Sequence, residues 1–220
     1  EVRRVLAAYL LPMPASRLTY SSDEAATAAR AIGFPVALKL SAPNVTHKTD
    51  VGGVRLDLGD EAAVREAFDN LIAKAPVGAG VLVQQMVNGG VETMMGIVQN
   101  RLFGPLVAFG LGGIHVEILK DIRVRLAPLT DGDVDDLLHG IKGFPLLQGY
   151  RGHAPADIGA LRDTLLRLAR MADEVPEIAE LDLNPVIALA PGQGCRVVDA
   201  RIRVEAAERP FERRRSQHRA

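Results

Sequence analysis

The 220-residue sequence is 48% hydrophobic and 24% charged, with a formal net charge of −1. That balance belongs to a globular chain with ample material for a core, and it offers no overall basic field for nucleic acid. Aromatic residues are 4% and Trp is absent, which argues against a base-stacking surface. There is no signal-peptide pattern and no apolar run near the ~18 residues of a membrane span. A single cysteine, Cys195, excludes an internal disulfide framework and fits a reducing, cytoplasmic setting.

In chain order, Val2, Val5, Leu6, Tyr9 and Leu10 have helical spacing, and "LPMP" ends that helix. Ser21 or Ser22 can cap a second helix carrying Ala25, Ala26, Ala29 and Ile32, which Gly33 terminates. Residues 35–40 read as a buried strand and the alternating residues 53–58 as its partner. Asp60 then caps a helix with Val64, Ala67, Phe68, Leu71 and Ile72 on one face. Two strands follow, about 80–87 and 91–99, joined by an Asn-Gly turn at Asn88 and Gly89. "FGPLVAFGLGG" is a strand entering a glycine-rich turn. A short helix follows Thr130, and a longer one carries Ile158, Leu161, Leu165, Leu168 and Ala172. "IAELDLNPVIAL" and "CRVVDARI" are strands joined by the turn "APGQG". This order predicts an α+β or mixed α/β chain rather than regular βαβ alternation.

Several residues have chemistry as well as position. Lys39 alternates with Val36, Leu38 and Leu40, so it lies on the opposite strand face: a solvated edge lysine, or a point charge for phosphate. The loop 41–53 carries His47, Lys48, Gly52 and Gly53. Its small residues would let backbone N–H groups approach an anion, although it lacks the P-loop pattern. "LVQQMV" can line a purine or be a plain core strand, and Glu92 can accept from ribose hydroxyls or be a solvated strand residue. Gly110, Gly112 and Gly113 would admit a ligand to the backbone. In "ELDLNP", Glu180, Asp182 and Asn184 share a strand face. An antiparallel hairpin closed by "APGQG" would put Asp199 roughly opposite Val186 on that face, within reach of a hard cation such as Mg²⁺. A half-exposed polar hairpin gives the same pattern.

Together, "GFPVALKLSAPNVTHKTDVGGV", "GVLVQQMV", "GGVETMMGI", "FGPLVAFGLGGIHVEILKD", "RLAPL", "FPLLQGYRG", "ELDLNPV" and "VVDARI" resemble the ATP-grasp domain of NDP-forming acyl-CoA synthetases. The resemblance is to the ADP-forming acetyl-CoA synthetase branch related to succinyl-CoA synthetase β subunits, and it covers about residues 1 to 203. It implies an α+β ATP-grasp fold at residues 1–205, with two lobes gripping nucleotide. Residues 20–90 would form the small lobe, 91–205 with the N-terminal helix the large one, and 206–220 a disordered basic tail. By the resemblance, Lys39 contacts the phosphates, and the loop with His47, Lys48, Gly52 and Gly53 covers them. Gln85, Met86 and Val87 form an adenine hinge, and Glu92 meets the ribose. Asn184 and Asp199 hold Mg²⁺ with Asp182 beside them, and His47 carries phosphate on its way to ADP. His115 stands where the family usually has an aromatic or aliphatic residue and is given no role.

The implied function is Mg²⁺ and ATP/ADP binding with phosphoryl transfer, as one component of a reversible ADP-forming acyl-CoA synthetase. No CoA-binding segment is found, so catalysis calls for a CoA-binding and ligase domain, or an α subunit, carrying a phosphohistidine, in an oligomeric assembly. The alternative is a regulatory, nucleotide-sensing module of a larger fused protein such as a lysine acetyltransferase. Nucleic acid and membrane are not expected partners.

Overall fold

A computed structural model describes residues 1–42, 52–113, 121–150, 152 and 154–207. His47, Lys48, His115 and most of the basic tail lie outside them. The helices are α1 (Val2–Ala8), α2 (Ser22–Ile32), α3 (Glu61–Ile72), α4 (Asp131–Gly140), α5 (Phe144–Leu147) and α6 (Ile158–Glu174). The strands are β1 (Ser16–Thr19), β2 (Val36–Ser41), β3 (Val54–Leu58), β4 (Gly80–Gln85), β5 (Val91–Asn100), β6 (Gly104–Leu111), β7 (Ile122–Leu126), β8 (Ile178–Ala188), β9 (Cys195–Val197) and β10 (Ala200–Val204).

Helix starts follow local chemistry. The Ser21 side chain accepts from the Glu24 N–H, Asp60 from Ala63, and Thr130 and Asp133 cap each other reciprocally. One antiparallel sheet runs β1-β4-β2-β3, and α2 and α3 cover its apolar face. Four alanines of α2, Ala25, Ala26, Ala28 and Ala29, are fully buried there, and Phe68 and Leu71 of α3 fill the layer beside Val36, Leu38, Val81 and Val83. The second sheet runs β10-β8-β5-β6-β7, with β9 also paired to β8. Leu161, Leu165 and Leu168 of α6 pack with Met95, Ile97, Phe109 and Leu181 of that sheet, and Leu6 of α1 joins the same core. Each lobe thus has its own core.

Three local expectations are corrected. β4 and β5 are not a hairpin: β4 pairs with β1 and β2, while β5 pairs with β6 and β8. Asn88–Gly90 therefore carries the chain from one sheet to the other, with φ of 73° at Gly89 and 83° at Gly90, a backbone that suits glycine. "CRVVDARI" is not one strand but β9 and β10, interrupted at Val198 and Asp199. Opposite the gap stands Pro185, which has no N–H to give the ladder. Val197 pairs with Val186 and Ala200 with Leu183, so Asp199 lies across from Asn184 rather than Val186. β1 and α5, too short for periodicity to reveal, were not anticipated.

Candidate functional site

The cleft between the sheets is built from five short segments. β2 runs through the interior of its sheet, between β4 and β3, and Lys39 is 7% exposed. The solvated-edge reading of Lys39 is overturned: one face of β2 packs on helices and the other, with Ala37 and Lys39, faces the second lobe. Lys39 Nζ donates to the Val198 carbonyl at 2.8 Å, and Gln84 Nε2 from β4 donates to the same oxygen at 3.1 Å. After β4, the N–H groups of Gln85 and Met86 are taken by the carbonyls of Ala15 and Pro35. From the large lobe come Glu92 at the start of β5, Asp182 and Asn184 on the accessible face of β8, and Asp199 in the gap between β9 and β10.

These residues converge. A cavity of about 670 Å³ is lined by Lys39, Gln85, Met86, Val87, Glu92, Asp182, Asn184 and Asp199, together with Ala37, Gln84, Ile187, Val198 and Arg201. Gly52 and Gly53 are not in its wall. They shape the turn into β3, where the Gly53 carbonyl accepts from the Leu40 N–H at 2.8 Å. Gly112 and Gly113, after β6, are likewise absent from this wall and sit close against β5. The Gly112 N–H donates to the Glu92 carbonyl at 2.7 Å. A Cβ at Gly112 would stand 2.9 Å from the Thr93 carbonyl oxygen, and one at Gly113 2.5 Å from Glu92 Oε2. Their bareness lets the chain continue alongside β5 and lie against the Glu92 carboxylate.

The polar end of the cavity concentrates oxygen. Burial pushes the Asp182 carboxyl upward; Arg201 opposes this, and Asp199 and Glu180 add to it. Arg201 pairs with Asp182 across the β8–β10 ladder. Among the described residues, no group of three or more His, Cys, Asp and Glu side chains forms a metal cage. Asp199 and Asn184, facing each other with Asp182 two residues along, instead match the donor set of Mg²⁺, which takes one or two carboxylates and completes its shell with phosphate and water oxygens. A second cavity of about 690 Å³ lies beyond the Asn88–Gly90 crossover, walled by Leu111, Gly112, Gly113, Leu146, Tyr150, Pro155 and Leu189; Glu92 stands between the two.

Gln84 and Arg201 were missed by sequence reasoning. Gln84 looks identical to its neighbour Gln85, and only strand parity separates the buried one from the exposed one. The signal for Arg201 was available: it follows Asp199 by two residues, on the same strand face.

The ATP-grasp domain model matches residues 1–204. The chain is an ATP-grasp domain. Its relatives place it with the ADP-forming acyl-CoA synthetases. It is 43% identical over 209 residues to a 4-hydroxybutyrate–CoA ligase [ADP-forming] of Nitrosopumilus maritimus, covering 92% of this chain and 30% of that protein. It is 40% identical over 209 residues to the acetate–CoA ligase [ADP-forming] II subunit beta of Pyrococcus furiosus, covering 92% of this chain and 89% of that subunit. Related chains thus exist both as separate beta subunits and as under a third of a longer ligase.

The fold agrees. A dinucleotide-forming acetyl-coenzyme A synthetase of Ca. Korarchaeum cryptofilum, solved with coenzyme A, Ca-AMPCP and HgCl⁺, superposes with a TM-score of 0.88 at 42% identity, covering 93% of this ATP-grasp domain and 91% of that chain. A second structure of that synthetase holds coenzyme A and Mg-AMPPCP, with a phosphohistidine segment pointing towards the nucleotide binding site (TM-score 0.82, 42% identity, 92% and 90% covered). Ligase relatives favour a ligase component over the regulatory-module alternative. Among the described residues of this ATP-grasp domain, no helix is long and apolar enough to cross a membrane.

Proposed function

We propose that this chain binds a Mg-nucleotide in the 670 Å³ cleft and serves as the phosphoryl-transfer component of an ADP-forming acyl-CoA synthetase. The overall reaction is acyl-CoA + ADP + phosphate ⇌ carboxylate + CoA + ATP. The observation that carries this reading is the convergence of a buried lysine, a strand-to-strand crossover, the Glu92 carboxylate and an Asn–Asp pair on one cavity between two sheets.

In this reading the purine lies against the Gln85–Val87 segment. The N–H groups of Gln85 and Met86 are already bonded, so the remaining backbone groups there read its edge. Glu92 accepts from the ribose hydroxyls. Lys39 faces the phosphates, and a fixed ammonium in a closed cleft offsets their charge with little reorganisation. Asn184 and Asp199, with Asp182 beside them, would hold Mg²⁺, which would supply neutralisation of the phosphate oxygens. Binding this dication would pull the raised Asp182 carboxyl back toward its ionised form.

The partner is a CoA-binding and ligase domain or α subunit whose phosphohistidine enters the cleft. Its P–N bond breaks as a new P–N bond forms on the relay imidazole, and that bond breaks in turn as a terminal oxygen of ADP forms the P–O bond; in each transfer the departing imidazole nitrogen keeps the electron pair. His47 is the candidate relay for that phosphoryl group, with Lys48 as a covering charge.

Titration calorimetry with Mg-ADP and Mg-ATP tests the reading. Saturable binding of both is expected, with no acyl-CoA formed by this chain alone. An absence of heat at millimolar nucleotide would overturn it.

A further inference from the structure

The Val198 carbonyl receives two buried donors from the opposite lobe. Lys39 Nζ reaches it at 2.8 Å and Gln84 Nε2 at 3.1 Å. The two stand on neighbouring strands, where Gln84 pairs with Ala37 and Lys39 with Leu82. The carbonyl they share belongs to the peptide unit that contains the backbone nitrogen of Asp199. From the other side, the Val198 N–H donates to the Pro185 carbonyl at 3.0 Å, one residue past Asn184. The main chain between the two candidate metal ligands is thus gripped by the small lobe and by β8 together.

The chemistry of the acceptor fixes the Gln84 amide. A carbonyl only accepts, so Nε2 must face Val198 and Oε1 must face away. Gln84 is 1% exposed, and its Oε1 has no partner among the described residues. The Ser16 hydroxyl, directly across the ladder, is in the same condition. A buried acceptor left unpaired is unfavourable, and an apolar side chain of the same shape would avoid that loss. The donor half of the amide therefore explains its presence.

The two donors respond differently to a nucleotide. Phosphate oxygens compete for an ammonium far better than a neutral carbonyl does, so Lys39 is drawn off Val198 when phosphate arrives. A neutral amide is not diverted in this way. We propose that Gln84 is a positioning residue, the nucleotide-independent half of an interlobe clamp that keeps the Val198–Asp199 peptide in register while Lys39 turns to phosphate. The nucleotide-bound part of this inference rests on the proposed function; the ligand-free clamp does not.

The test uses two spin labels, at Glu66→Cys on α3 and Asp173→Cys on α6, both exposed positions, while the native Cys195 is buried. Pulsed dipolar spectroscopy then reads the interlobe distance distribution. Without ligand, the Lys39→Met, Gln84→Met double variant should show a broader distribution than the parent, and an unchanged one overturns the clamp whether or not nucleotide binds. With saturating Mg-ADP, the parent should stay narrow and Gln84→Met should broaden.

In parallel, Gln84→Met should raise the Mg²⁺ concentration for half-maximal ADP binding at least tenfold, well beyond any loss of metal-free ADP affinity in EDTA. A merely structural glutamine would lower the melting temperature and leave the Mg²⁺ dependence alone, which would refute the positioning role. Gln84→Asn keeps the polarity but shortens the reach, and replaces the Met variant if that one fails to fold. If the parent binds no nucleotide, the functional reading fails and the ligand-free distributions alone decide the clamp.

Discussion

Replacing Lys39 by Met removes the charge and keeps most of the volume. In the proposed nucleotide complex, Lys39 would offer the phosphates a cation held on an interior strand at 7% exposure. Truncating one partner of a desolvated charge contact costs about 2–5 kcal/mol. At about 1.4 kcal/mol per decade, that is a loss of roughly thirtyfold to a few thousandfold in affinity for Mg-ADP. The ligand-free protein should respond much less. The variant loses the polar contacts of Lys39, among them a charged hydrogen bond to the Val198 carbonyl, which is about 1.5–3 kcal/mol. It also relieves the burial of an ammonium, which is unfavourable by several kcal/mol. These oppose, so the melting temperature should move by only a few degrees, since ~1 kcal/mol shifts a domain of this size by about 2–4 °C. Calorimetry with Mg-ADP beside a thermal melt separates the two effects. Affinity within about threefold of the parent, with a melt lowered by ten degrees or so, would make Lys39 an interlobe strut and refute its role at phosphate.

Asp199→Ala should weaken the Mg²⁺ dependence of nucleotide binding more than it lowers the ligand-free melt, because the side chain faces the cleft across from Asn184; a collapsed melt with normal metal dependence would make it a hairpin residue. Gly113→Ala places a Cβ 2.5 Å from Glu92 Oε2 at a φ of 63°, so it should push the carboxylate aside and weaken ADP binding by about tenfold, or ~1.4 kcal/mol. Affinity for 2′,3′-dideoxy-ADP should change little, and equal losses for both nucleotides would remove Glu92 from the ribose. Asp157 caps α6 and also accepts from the N–H groups of Gly192 and Gly194; these bonds, that to Ala160 foremost, hold its carboxyl below the usual range. A depressed folded-state pKa means its stabilisation is full above the unfolded value of about 3.9 and is lost as pH falls through the folded value. Melts from neutral pH down to strong acid should therefore fall less steeply below about pH 4 in Asp157→Asn than in the parent, and parallel curves would contradict this.

Much of the fold was legible because burial writes itself as period. Val64, Ala67, Phe68 and Leu71 announce a helix, and the alternation of Glu180, Asp182 and Asn184 with leucines survives in β8 as a face turned to the cleft. The two-sheet architecture was not legible from periodicity. "NGG" is hairpin chemistry locally, and only the pairing of β4 with β2, over forty residues distant, makes it a crossover instead. The resemblance supplied that architecture. At the site, residue types were readable and contacts were not. Nothing local says that Lys39 lies on an interior strand, or that Pro185 stops the ladder so that Asp199 faces Asn184. The tie from Gln84 to Val198 spans 114 residues and leaves no local pattern at all.

The central claim is that the cleft between the two sheets, rather than the apolar cavity beyond the crossover, receives the nucleotide. A crystal structure of this chain grown with Mg-AMPPCP tests it most directly. The account predicts the triphosphate beside Lys39, the metal between Asn184 and Asp199, and the purine against residues 85–87. A nucleotide seated among Leu111, Leu146 and Leu189, or a metal bound away from Asp199, would contradict it.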